Sequence, residues 1–265
     1  MRGALLTAMP GTPRAALANT VRSWRRGVFR LSRAPAAGSP PLVSPALAWS
    51  MVAALALVLV AAAFDPLVVD AVGTSQWPAW RFLAAVTDAA RVHWYLVPSG
   101  AIALVLGSVD WRAITSQAVR ARLFLAHGRA AFIFVAIAAP AIVINVIKQV
   151  VGRGRPVTRQ DFDAFVFAPF EFDYAYQSFP SGHATTSGAL AMLLALWFPR
   201  RAPLALVFGA CLAFARVPAG AHYLSDVIAG FAIGAASTLV LARWLARRRC
   251  LFRFGPSRER PVLIK

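Results

Sequence analysis

The feature that most restricts this chain is a series of long uncharged runs, the first being the twenty residues from Pro45 to Phe64. A helix crossing the ~30 Å hydrocarbon layer needs about 20 apolar residues, so runs of this kind read as membrane spans. Six follow one another: Pro45–Phe64, Val92–Val109, Ala130–Val151, His183–Phe198, Pro203–Arg216 and Tyr223–Leu245. The fourth and fifth make a helical hairpin around Pro199-Arg200-Arg201, and the shortness of the fifth predicts that its ends extend past these bounds. Charged residues are 14% of the chain, against about a quarter in soluble domains. The expected fold is all-α, a polytopic six-helix membrane bundle at 46–245 between basic tails at 1–45 and 246–265.

A formal net charge of +18 would suit a nucleic-acid binder. Here the basic residues sit in tails and short connections between apolar runs, so no nucleic-acid partner is expected and the charge reads as a topology signal. With the N-terminus in the cytoplasm, 21 of the 28 Lys and Arg fall on that side and eight of the ten acids on the other. The positive-inside rule then places both termini in the cytoplasm of a cell (inner) membrane protein whose opposite mouth faces the periplasm.

No apolar stretch follows the first residues, so no cleaved secretory signal is expected. In the N-terminal tail, Leu17, Val21, Trp24, Val28 and Leu31 recur at helical spacing among Arg22, Arg25, Arg26, Arg30 and Arg33. That pattern fits a basic helix on an anionic membrane surface, or equally a disordered tail that only fixes topology; a transit peptide ranks third. Cys211 and Cys250 suggest neither a disulfide framework nor a metal site.

Three polar clusters interrupt the apolar pattern, and the topology puts all three on the periplasmic side. The first runs from Lys148 to Arg155-Pro156, the second is Pro180-Ser181-Gly182-His183, and the third extends from Arg216 through His222 to Asp226. Ionisable groups at membrane depth are costly and are functional candidates by default. Singly, Lys148 reads as a snorkelling side chain, Arg216 as an interfacial anchor and Asp226 as a helix cap. Together they supply what phosphoryl transfer needs. Lys148, Arg155 and Arg216 are three fixed cations for a phosphate, and the Ser181 and Gly182 amides at a helix start can cradle an oxygen. His222 and Asp226 are four apart; if the last helix begins by His222, both lie on one face, where the carboxylate can accept one ring N–H and leave the other nitrogen to attack phosphorus. His183 can protonate the departing oxygen. No carboxylate or His/Cys set suggests a metal, and no cofactor is expected. His93 and His127 match no pattern and read as structural.

These clusters resemble the three motifs of the type 2 phosphatidic acid phosphatase superfamily, which also includes bacterial acid phosphatases and vanadium haloperoxidases. The family pattern is Lys, six residues, Arg-Pro; then Pro-Ser-Gly-His; then Ser-Arg, five residues, His, three residues, Asp. The match covers Lys148, Arg155 and Pro156, then Pro180 to His183, then Arg216, His222 and Asp226, within residues 130 to about 245. The resemblance implies a phosphohistidine at His222, orientation by Asp226, His183 as the acid that later activates water, and phosphate binding by Lys148, Arg155, Ser181, Gly182 and Arg216. It implies a phosphorylated lipid as substrate, with the bilayer as the protein's surroundings. Ala215 stands where the family has Ser, a change worth on the order of 1 kcal/mol if one neutral hydrogen bond is lost. A lipid phosphotransferase of the same family and a non-catalytic phospholipid binder are the alternatives.

Between the first two motifs, Phe170, Phe172, Tyr174 and Tyr176 alternate with Glu171, Asp173 and Ala175. Strict alternation predicts an extended segment with one aromatic face, either an interfacial belt or a lip for the lipid.

Overall fold

Proline and the apolar runs set the helix boundaries. The computed structural model describes residues 9–73, 75, 77–156, 164–255 and 260–264, with the Val28 side chain left out. Arg2, Arg159, Arg258 and Lys265 of the charge count, and positions 157–163 of the aromatic loop, lie outside the described residues. The described chain is mostly helical: α1 Pro13–Leu31, α2 Pro45–Gly73, α3 Pro78–Val86, α4 His93–Ser108, α5 Gln117–Val151, α6 Gly182–Trp197, α7 Ala202–Phe214 and α8 Leu224–Arg247. A short hairpin, β1 Phe252–Phe254 with β2 Pro261–Leu263, pairs antiparallel with Phe252 opposite Leu263.

Each expected span contains a helix, with shifted ends. The first extends to Gly73 and carries Pro66 inside it. The second is preceded by a separate short helix that Pro78 opens, and the third starts at Gln117, so that Arg120, Arg122 and Arg129 are helical. The fifth does not extend as expected: α7 has 13 residues and ends inside the sequence-derived bounds. The chain leaves it through successive tight turns, Arg216 N–H to the Ala213 carbonyl and Val217 N–H to that of Phe214, and Pro218 has no N–H to continue the ladder.

Among the described residues, four stretches are long and apolar enough to cross a membrane: Pro45–Gly73, Pro78–Ser108, Gln117–Val151 and Leu224–Arg247. At 1.5 Å per residue, the 16 residues of α6 and the 13 of α7 reach only about 24 and 20 Å.

The chain divides into two compact units. One comprises Met1–Leu42, Tyr95–Val135 and Ala242–Lys265. In it Asn19 Nδ2 donates to the Ser108 carbonyl at 2.9 Å, Phe132 meets Phe252 edge-on, and Arg243 donates to the carbonyls of Leu42 and Pro41 at 2.8 and 2.7 Å. In the basic tail the helical alternative is the one present, with Leu17, Val21 and Trp24 exposed on α1.

The other unit comprises Val43–Trp94 and Ala136–Leu241 and contains all three sequence clusters. Its helices α6 and α8 cross at backbone contact. A Cβ at Gly188 would lie 2.1 Å from the Phe231 carbonyl oxygen, and one at Gly234 would lie 2.0 Å from that of Thr185. Only glycine permits this approach, the small-residue packing that joins helices where lipid supplies no hydrophobic drive between them. The crossing brings the start of α6 to the start of α8, where the Ser181 N–H donates to the Asp226 carbonyl at 3.0 Å.

Candidate active site

Lys148 lies in the last turn of α5, and the chain beyond it is zipped to the loop that follows. Gly152 has φ +59, and a Cβ there would sit 2.0 Å from the Ala168 carbonyl oxygen, so glycine is required on both counts. Its carbonyl accepts the Ala168 N–H at 2.7 Å; the Gly154, Arg155 and Ser178 amides donate to Val166, Ala175 and Arg153. This main-chain lacing folds 170–176 back on the site, so the extended aromatic face expected there is absent. Phe170 has φ +62, Tyr174–Tyr176 form one 3₁₀ turn, and Phe170, Phe172 and Tyr174 are exposed alongside Glu171 and Asp173.

The three cations are buried. Lys148 Nζ donates to the Gln177 carbonyl at 2.6 Å, and Arg155 Nη2 donates to the same oxygen at 3.0 Å. Arg155 also donates to the carbonyls of Tyr174 and Ala221, at 3.0 and 3.2 Å, with its guanidinium over the Tyr174 ring. Arg216 donates to the Thr87 hydroxyl at 3.4 Å, and its Nε is buried without a partner. Among the described residues neither Lys148 nor Arg216 meets a carboxylate within 4.0 Å. Lys148 and Arg155 share the Gln177 carbonyl, Arg155 Nη1 lies 3.3 Å from His222 Nε2, and the Ser181 amide donates to the Asp226 carbonyl, so residues of all three clusters meet.

Ser181 caps α6, its hydroxyl accepting the Ala184 amide at 3.3 Å. The amides of Gly182 and His183, in the first turn, stand outside the helix ladder. His183 Nε2 is buried without a hydrogen-bond partner.

His222 is 2% exposed, and its Nε2 is 3.3 Å from Arg155 Nη1. Its Nδ1 faces Asp226 Oδ2 at 3.7 Å and the Ser178 hydroxyl at 3.5 Å. Burial drives its imidazolium down to about 3, against the pull of Asp226 and helped by Arg155 and Lys148. The ring is therefore neutral at physiological pH. The Asp226 carboxylate accepts three hydrogen bonds. Oδ2 accepts from Ser178 Oγ at 2.5 Å and the Tyr223 N–H at 3.0 Å, and Oδ1 accepts Arg153 Nη1 at 2.6 Å.

All eight sequence-derived residues thus lie in this unit, around one cluster. Sequence reasoning missed Arg153, Asp65, Ser178, Ser225 and Thr87. Asp65 carried a legible signal, an acid directly after an uncharged run of twenty. Arg153 was hidden inside the first motif's spacer, and the small hydroxyls have no spacing of their own.

Lys148 and Arg216 are buried and meet no carboxylate among the described residues, which favours an anion beside them. Comparison with known proteins gives the same direction. The PAP2 superfamily model matches residues 129–250. A lipid A 1-phosphatase of Rhizobium johnstonii is 33% identical over 249 residues, covering 92% of this chain and 94% of that protein. This chain belongs to the PAP2 superfamily. A second lipid A 1-phosphatase, from Rhizobium etli, is 33% identical over 80% of this chain and 91% of its own length. A decaprenylphosphoryl-5-phosphoribose phosphatase of Mycolicibacterium smegmatis is 37% identical over 46% of this chain and 63% of its own length. Among solved structures, a PAP2-type phosphatidylglycerolphosphate phosphatase of Bacillus subtilis aligns with a TM-score of 0.46 at 18% identity, over 72% of this chain and 92% of that one. Ala215, where the superfamily motif has Ser, is fully buried at the end of α7.

Proposed function

We propose that this membrane phosphatase of the PAP2 superfamily hydrolyses a phosphate ester or pyrophosphate on a lipid, through a phosphohistidine at His222. The observation that carries the reading is a buried cation group with a neutral His222: Arg155 Nη1 lies 3.3 Å from His222 Nε2, and Lys148 and Arg216 meet no carboxylate within 4.0 Å among the described residues. With Nδ1 facing Asp226 and carrying the ring proton, the Nε2 lone pair attacks phosphorus. The P–O bond to the lipid breaks, and His183 gives the leaving oxygen its proton. Water then attacks the phosphohistidine as His183 takes its proton, releasing inorganic phosphate and restoring His222. Lys148, Arg155 and Arg216, with the Gly182 and His183 amides, balance the charge on the equatorial oxygens. The six helical segments are read as the membrane segments, with α6 and α7 the short hairpin. The bias of 21 of 28 basic residues to one side supports a site at the periplasmic face of the inner membrane.

The relatives spanning most of the chain make the 1-phosphate of lipid A the first substrate to test, with undecaprenyl pyrophosphate, phosphatidylglycerol phosphate and phosphatidic acid beside it. Purified enzyme should release inorganic phosphate from at least one of these and far less from glycerol 3-phosphate. A label that moves instead onto a second lipid identifies a phosphotransferase; no turnover with any of them refutes both readings.

His183→Ala should lower turnover about 10²- to 10⁴-fold on a lipid phosphate, whose alkoxide needs a proton to depart. On p-nitrophenyl phosphate, whose phenolate leaves unaided, formation of the phosphoenzyme should change little. Equal losses on both would remove His183 from the acid role.

A further inference from the structure

The proposed mechanism uses one buried carboxylate and leaves a second unexplained. Asp65, on α2, is fully buried. Its Oδ1 accepts the Ser225 amide at 3.0 Å; its Oδ2 accepts Arg153 Nη2 at 2.8 Å and also the Ser225 hydroxyl. Arg153 donates from Nη1 to Asp226 Oδ1 at 2.6 Å and to Ser225 Oγ at 2.7 Å, and from Nε to the Ala164 carbonyl at 3.0 Å. Its guanidinium stacks on the Tyr223 ring at 4.2 Å. One cation therefore faces two carboxylates, and the second of them is the partner of His222.

A buried ion pair is a poor stabiliser, because desolvation cancels much of the Coulomb gain. Its use here is geometric. Arg153 paired with Asp226 alone would place a whole positive charge on the carboxylate that must hold the His222 Nδ1–H. Asp65 draws part of that charge away. Its two bonds to Ser225 also fix the first turn of α8, from which Asp226 projects. We infer that Asp65 and Arg153 are a positioning pair: through Arg153 and Ser225 they fix the Asp226 carboxylate, and through it the tautomer and aim of His222. The inference rests on the reading of His222 as nucleophile. Neither residue touches the phosphate.

Asp65→Asn keeps the side-chain shape and removes the charge. It should lower kcat by about tenfold to a hundredfold, the factor carried by a charge-assisted hydrogen bond, with KM within about twofold. In an Asp226→Asn background, whose residual turnover comes from charge stabilisation and binding, Asp65→Asn should cause no further loss. A merely structural role would multiply the two losses. Wild-type kcat in folded Asp65→Asn, an effect on KM alone, or multiplied losses would overturn the inference. If Asp65→Asn does not fold, Ser225→Ala retains every charge and is read in the same way. It should lower kcat at constant KM, without further loss in the Asp226→Asn background, and wild-type kcat or multiplied losses would again overturn the pair. Wild-type phosphate release, measured in parallel, tests the phosphatase reading separately. An inactive wild type condemns that reading, whereas active wild type with unaffected variants condemns only the positioning pair.

Discussion

His222→Ala is expected to reduce lipid phosphate hydrolysis by about 10⁴-fold or more, because no other group takes over a lost nucleophile. The fold should survive the change. Asp226 keeps its bonds from Arg153, Ser178 and the Tyr223 amide, so its charge is not orphaned when the imidazole goes. Arg155 likewise keeps the carbonyls of Tyr174, Gln177 and Ala221. Phosphate release and the thermal midpoint in detergent, measured on the same preparation, check both halves. Turnover near wild type would end the role assigned to His222, and a collapsed midpoint would show that it holds the fold as well.

The second large effect concerns packing. Gly234→Ala should destabilise the protein by about 3 kcal/mol or more, since overpacking a rigid contact typically costs 1–3 and the obstacle here is backbone. The new methyl would sit 2.0 Å from the Thr185 carbonyl oxygen, which cannot rotate away as a side chain would. Relief requires α6 and α8 to separate, and that movement also stretches the 3.0 Å bond from the Ser181 amide to the Asp226 carbonyl. Stability and turnover should therefore fall together. Gly73→Ala, where nothing lies within 4 Å, is the control and should change neither. An unaltered midpoint in Gly234→Ala would mean that the two helices are not held at this distance.

Much of the site was legible because phosphate chemistry needs particular side chains at fixed spacing. Ser181 at a helix start is reproduced as a capped helix, whereas α8 begins only at Leu224, so His222 precedes it and its imidazole faces the Asp226 carboxylate at 3.7 Å from outside the helix. Asp65 meets Ser225 across 160 residues, a pairing no local spacing can announce. The helical segments were legible from apolar runs, but their ends were not. The start of α5 lies among arginines, and α7 stops where Pro218 and tight turns outweigh its apolar composition. The aromatic alternation at 170–176 misled for a related reason. Its backbone is committed to contacts with residues 149–155, which override the period-two pattern.

Those backbone commitments have a consequence for how the protein can diverge. Lys148 and Arg155 are held by the main-chain oxygens of Tyr174 and Gln177, atoms that every amino acid possesses, while the exposed Phe170 and Phe172 take no part in holding them and the Tyr174 ring lies against the Arg155 guanidinium. Apart from Tyr174, the rim's chemistry is therefore uncoupled from the anion cage beneath it, and Phe170 and Phe172 are the rings free to vary. Exchanging those rings for other side chains alters what the mouth presents to a lipid, whereas adding or deleting a single residue there shifts the oxygens that anchor the cations.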